Sequence, residues 1–159
     1  MAEPRWLNEE EMRAWHAFLG VAALLDRRLD QQLKEDAGIT HLQYETLGRL
    51  AAAPGGELRM SVLADVLYSS KSGLTYQVTQ LEKAGLVRRR YCEEDVRAVY
   101  AVLTDEGRRM LERAAPGHVA LAREAFIDVL TPQQLSVLAD GLDEVARRMQ
   151  GGEGAAAVK

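Results

Sequence analysis

A single cysteine, Cys92, among 159 residues excludes an internal disulfide and any cysteine-rich metal site, and fits a reducing compartment. No apolar run approaches the length of a membrane span. The N-terminus carries Glu3 and Glu9 to Glu11 where a secretory signal needs basic residues followed by an apolar stretch. A cytoplasmic protein without membrane attachment is therefore expected. There are only three histidines, His16, His41 and His118, and none belongs to a ligand-spaced pair on one helix. A metal site would have to be assembled from remote segments, and none is expected. The sequence also lacks a Gly-rich phosphate loop, a nucleophile with an evident base, and a recognisable His/Asp/Glu constellation, so no enzyme and no cofactor are expected. It has no internal repeat.

What is present suits one globular domain, with 47% hydrophobic and 28% charged residues. The net charge of −4 conceals an uneven distribution. Residues 59 to 90 hold Arg59, Lys71, Lys83, Arg88, Arg89 and Arg90 against Asp65 and Glu82, a net +4, which leaves −8 for the remainder. A basic third in an acidic chain is the footprint expected when one face meets a phosphate backbone.

Within that third, the stretch from Ser69 to Gly85 predicts a helix. Leu74, Val78 and Leu81 share one face, Ser72, Tyr76, Thr79 and Lys83 lie opposite, and Thr75 and Gln80 flank them. The outer face carries hydroxyls, an amide and a phenol in place of the usual Glu, Lys and Arg. Such groups donate and accept toward base edges and phosphates. Ser69 or Ser70 caps the start, Gly85 supplies a left-handed stop, and the N-terminus favours an anion. A polar surface helix without a ligand explains these residues about as well, and the neighbouring elements decide between the two.

Before this stretch, Trp15, Phe18, Ala22, Leu25 and Leu29 predict an amphipathic helix from about Asn8 to Ala37, stopped by Gly38. At about 1.5 Å per residue it is longer than a domain of this size buries alone, so a partner subunit is expected to cover the excess. Thr40 and Gln43 form a capping box for a second helix, ended by Pro54-Gly55-Gly56. Leu58 reads as a short extended link, and Met60 to Leu67 as a brief helix. Two short helices joined by Tyr68-Ser69-Ser70, the second closing on glycine, have the helix-turn-helix form.

After Gly85 the period changes to alternation. Leu86 to Tyr91 and Arg97 to Leu103 read as a β-hairpin, although its loop lacks an Asn-Gly turn. Attached to a helix-turn-helix, such a hairpin is a wing, with Arg97 placed for the minor groove and Asp95 placed to brace the Arg97 guanidinium. Thr104 caps a helix expected to run through Val129 with a kink at Pro116-Gly117. Thr131 and Gln134 box the start of the last helix, whose Leu135, Leu138, Leu142, Val145 and Met149 form a stripe suited to core or to a dimer seam.

In this order and spacing, Leu63-Ala64, Ser70-Lys71-Ser72, Leu81-Glu82-Lys83-Ala84-Gly85-Leu86-Val87, Asp95-x-Arg97 and Leu103-Thr104-x-x-Gly107 resemble the MarR family of bacterial winged-helix regulators. The resemblance covers nearly the whole chain. It implies a mainly α fold with a small β-hairpin, a winged helix-turn-helix flanked by long terminal dimerisation helices. Residues 1–37 and 119–149 would be those helices. Residues 38–118 would hold the DNA-binding region and the start of the long connecting helix, and 150–159 a disordered tail.

The function implied is a sequence-specific regulator, expected to be a repressor, that binds a pseudo-palindromic operator in double-stranded DNA as a homodimer and is released by a small aromatic ligand. Ser70, Lys71, Ser72, Thr75, Tyr76, Thr79 and Gln80 would meet DNA from the recognition helix. Arg88, Arg89, Arg90, Asp95 and Arg97 would act from the wing and its base. The sequence departs from the family pattern at the wing tip, where Glu93, Glu94 and Asp95 stand. Arg88 to Arg90 are therefore expected to supply much of the phosphate attraction.

Trp15, His16 and Tyr44 combine aromatic walls with polar handles where the family forms its effector pocket, although core packing accounts for Trp15 on periodicity alone. Cys92 lies near three arginines, which favour a thiolate, and directly before three carboxylates, which oppose it, so an incidental thiol is expected. A different class of function, a non-enzymatic winged-helix module that docks protein or coats DNA without sequence preference, needs a more basic helix face than this one.

Overall fold

Asn8 starts the first helix by accepting from the Glu11 N–H at 2.9 Å, while the Glu11 carboxylate takes the Asn8 N–H in return. Helix α1 (Glu9–Ala37) stops at Gly38, whose φ of 68° is left-handed and whose N–H donates to the Lys34 carbonyl. The computed structural model describes residues 3–93, 95 and 97–156, the last five of these as backbone only. The chain divides into two units, residues 1–120 and 121–159.

In the first unit the Thr40–Gln43 capping box opens α2 (His41–Ala52), and a 3-10 turn at Pro54–Gly56 leads out of it. Strand β1 (Glu57–Arg59), helices α3 (Met60–Val66) and α4 (Lys71–Lys83), and strands β2 (Val87–Tyr91) and β3 (Val99–Leu103) follow, then α5 (Asp105–Ala125). The sheet is antiparallel in the order β1-β3-β2, with Leu58 opposite Ala101 and Arg89 opposite Ala101 on the other side. The segment around Leu58, expected as a link, is thus a third strand. Its pairing comes from residues over forty positions later, which local pattern does not reveal.

Apolar residues at helical spacing supply the core: Leu33 of α1, Leu47 and Leu50 of α2, Leu63 of α3, and Leu74, Val78 and Leu81 of α4 are all buried. Most of the α1 stripe does not join them. Only Leu29 and Leu33 of that helix are buried, while Trp15, Phe18, Leu19, Val21 and Leu24 are exposed.

The end of α4 is stitched to the start of α5. Gly85, at φ 74°, closes α4, and the Leu86 N–H donates to the Leu81 carbonyl at 2.9 Å. Thr104 Oγ1 donates to the Gly85 carbonyl at 2.7 Å and accepts from the Gly107 N–H at 3.0 Å. A Cβ on Gly107 would lie 2.1 Å from the Leu86 carbonyl oxygen, so only glycine fits. These contacts give a physical reason for the two motifs Ala84-Gly85-Leu86 and Thr104-x-x-Gly107.

Helix α5 is one element through Pro116 and ends at Ala125, not at Val129. Ile127–Val129 form a 3-10 turn, where two β-branched residues weaken helical propagation. In the second unit Thr131 and Gln134 cap α6 (Pro132–Ala156). The backbone of α6 is described as helical through Ala156. The tail positions 157–159 lie outside the described residues, as do Glu94 and Val96 of the wing. Among the described residues, no helix is long and apolar enough to cross a membrane.

Candidate nucleic-acid interface

Helix α4 presents its polar face as the periodicity predicts. Ser70 Oγ accepts from the Gly73 N–H at 3.1 Å and so caps the helix. Lys71, Ser72, Thr75 and Tyr76 are exposed in the first two turns, while Leu74, Val78 and Leu81 face the core. Thr75 Oγ1 donates to the Lys71 carbonyl at 2.8 Å, which commits its proton to the helix and leaves its oxygen lone pairs facing outward as acceptors. Thr79 and Gln80 are half-buried. Thr79 Oγ1 accepts from Arg89 Nη2 at 2.9 Å, so it supports an arginine where an open face was expected.

The three arginines at the base of the wing, expected to act alike, have different surroundings. Arg89 is fastened to α4: Nη1 donates to Glu82 Oε2 at 2.6 Å and its backbone N–H donates to Glu82 Oε1 at 3.1 Å. Arg90 is fastened within the sheet, donating to both Glu57 oxygens at 2.5 and 3.0 Å and lying 4.5 Å from the centre of the Tyr100 ring. The Arg90 guanidinium holds the Glu57 carboxyl below its ordinary range. Arg88 alone of the three is exposed, with no side-chain hydrogen bond or ion pair among the described residues.

At the wing, Asp95 does not brace the Arg97 guanidinium. Its Oδ1 accepts from the Arg97 backbone N–H at 3.0 Å, and its Oδ2 accepts from Arg59 Nη2 at 3.3 Å. Two residues apart, an Asp side chain reaches the following backbone in an Asx turn more readily than a side chain directed away from it. Arg97 is left exposed. Arg59, counted above in the basic third but not among the expected contact residues, joins the wing through this pair; its charge at the junction of β1 and α3 was the signal.

Together these elements frame a cleft of about 490 Å³ between α4 and the wing, lined among others by Arg59, Arg89, Arg97, Thr75 and Tyr91. Three guanidinium groups around one concavity attract an anionic backbone. Behind α4 lies a second cleft of about 410 Å³, bordered by Lys34, Thr40, Gln43, Tyr76, Gln77 and Gln80. The Gln77 Oε1 atom is buried without a hydrogen-bond partner.

The residues expected around an aromatic effector are placed apart in character. Trp15 and His16 are exposed on α1, whereas Tyr44 belongs to the core and packs against His118 at a tilt of 37°, with ring centres 4.2 Å apart. Neither cleft is lined by any of the three. Burial and the neighbouring His41 hold His118 below the ordinary histidine range, and burial raises the Tyr44 phenol above its own. Cys92 is a half-buried free thiol.

A family model described as "MarR family" matches residues 37–98. The structure of Sco3205 from Streptomyces coelicolor, a MarR family transcriptional regulator in complex with DNA, is similar at a TM-score of 0.89 and 44% identity, over 93% of this chain and 92% of that one. The HTH-type transcriptional regulator PecS of Dickeya dadantii is 31% identical over 136 residues, 80% of this chain and 78% of its own. NadR in complex with 4-hydroxyphenylacetate is similar at a TM-score of 0.68 and 27% identity, over 92% of this chain and 98% of that one.

Proposed function

The chain belongs to the MarR family, and from that premise we propose that it is a repressor that reads a pseudo-palindromic operator as a homodimer. DNA binding as a winged-helix transcriptional regulator, and not catalysis, is what the family does. The observation that carries the finer reading is the face of α4. Ser72, Thr75 and Tyr76 stand exposed there without opposite charge to hold them, beside a cleft with three arginines. Hydroxyls and a phenol read base edges, whereas guanidinium groups anchor phosphates. A module that coats DNA without preference would carry its cations on the helix face itself.

The pairing of two chains is supported by the exposed apolar residues of α1, and separately by Val137, Leu142, Val145 and Met149 of α6. Two recognition helices related by a two-fold axis read half-sites about 34 Å apart. Footprinting across the genome tests the reading: discrete sites with two-fold symmetry upstream of genes support it, and diffuse protection leaves only the coating module. A monomeric mass by light scattering at micromolar concentration removes the two-fold part.

Release by a small aromatic ligand is supported by the neighbour that holds 4-hydroxyphenylacetate. Trp15, His16 and Tyr44 remain the residues proposed to meet such a ligand. A ligand that lowers DNA affinity tenfold must bind the DNA-free form about 1.4 kcal/mol more tightly than the DNA-bound form. Titration of 4-hydroxyphenylacetate with and without operator measures that difference directly. Equal affinities exclude the compound as an effector.

A further inference from the structure

Folding brings together three residues that are far apart in the sequence. His41 opens α2, Glu45 lies one turn further on the same helix, and His118 lies on α5. One donor atom from each stands within 4.8 Å of the other two. His41 Nε2 and Glu45 Oε1 are 3.9 Å apart.

The surroundings prepare these donors. Asp26 of α1 places Oδ1 2.8 Å from His41 Nδ1. A carboxylate there accepts the Nδ1–H proton and so fixes the tautomer whose lone pair is on Nε2, the nitrogen that faces Glu45. The His41 backbone is held as well, its N–H donating to Asp30 Oδ1 at 3.0 Å. His118 is packed against Tyr44, and its Nδ1 is buried with no hydrogen-bond partner. An unpaired buried polar atom costs free energy unless something completes it. A Cβ on Gly117 would lie 3.0 Å from the side-chain ends of Gln32 and Asp36 of α1, so α5 passes close to α1 there.

We propose that His41, Glu45 and His118 bind a divalent transition-metal ion, zinc by preference, with Asp26 as the outer carboxylate that orients His41. Two imidazoles and one carboxylate match the ligand chemistry of Zn²⁺ and leave a fourth position for water. Bonds of about 2.0–2.2 Å in a tetrahedral site put donors about 3.3 Å apart, so the side chains close by a small rotation. The site would tie α1, α2 and α5 together within the first unit, and it stands independently of the DNA-binding reading.

The test is a titration of Co²⁺, a coloured substitute for Zn²⁺, into the full chain stripped with chelator, followed by displacement with Zn²⁺. The expected result is ligand-field absorption that saturates at one ion per chain and is lost in His41→Ala and in His118→Ala. Asp26→Asn, at an exposed carboxylate, should fold normally and bind about 10 to 100-fold more weakly. Zn²⁺ should also raise the Tm of the wild type and leave that of His41→Ala unmoved. No absorption in the wild type overturns the proposal. So does an undiminished signal in His41→Ala, or loss of the signal in Cys92→Ser, which would place the ion on the thiol. Should His118→Ala unfold, the His41→Ala and Asp26→Asn results decide alone.

Discussion

Arg89 and Glu82 face each other across the junction of the recognition helix and the wing, with Arg89 Nη1 2.6 Å from Glu82 Oε2. The same guanidinium reaches Thr79 Oγ1, so a single side chain from β2 holds two successive turns of α4. The pair ties the start of the wing to the end of α4.

Removal of this link should loosen the geometry as well as the charge. Glu82→Ala removes no positive charge, yet it is expected to weaken operator binding and to cost about 1 to 2 kcal/mol of stability. A double-mutant cycle with Arg89→Ala, read by denaturant unfolding, should show coupling of similar size. Full additivity would mean that the contact contributes nothing.

Phosphate anchoring and base reading should separate by residue. Arg88→Ala and Arg97→Ala are each expected to weaken all sequences alike and to lower the slope of log K against log salt by about one unit. Thr75→Ala or Tyr76→Ala should instead cost about 1 to 3 kcal/mol at one base step. If the arginine variants changed base preference and the helix variants did not, the roles would be reversed.

The Glu57–Arg90 pair makes the sheet sensitive to acid. Its hydrogen bonds hold the Glu57 carboxyl below its ordinary value of 4.5 in the folded chain. A depressed carboxylate stabilises the fold above the unfolded value and loses that contribution as pH falls through the folded one. The stability difference between wild type and Glu57→Gln should therefore be constant above about pH 5 and shrink below pH 4.5. A difference that stayed unchanged down to pH 3 would show that the pair is not formed.

Gly107→Ala should be among the most damaging small substitutions, because its methyl would lie 2.1 Å from a backbone oxygen that has no rotamer to change. A loss of about 2 to 3 kcal/mol is expected, read as a lower denaturation midpoint at unchanged slope. Gly48→Ala, in open space within α2, should be neutral or stabilising under the same conditions.

Features fixed by neighbouring residues were legible in the sequence. Asn8, Thr40, Ser70 and Thr131 each start a helix through contacts three residues long, and Gly38 and Gly85 each end one. The polar face of α4 and the resemblance to the family were visible for the same reason. Features that depend on distant chain were not. Strand β1 owes its existence to β3, Arg90 is spoken for by Glu57, Asp95 turns to Arg59, and His41 meets His118. A one-dimensional pattern shows which groups can pair but not which partner folding delivers.

The close approach at Gly107 makes the last turn of α4 and the first turn of α5 into one joint. From that joint α5 runs as a rod of about 20 Å to His118, at 1.5 Å per residue. His118 thus lies on the same helix whose first turn is pinned to the end of α4. No loop separates that pinned first turn from His118, since both belong to the continuous helix α5.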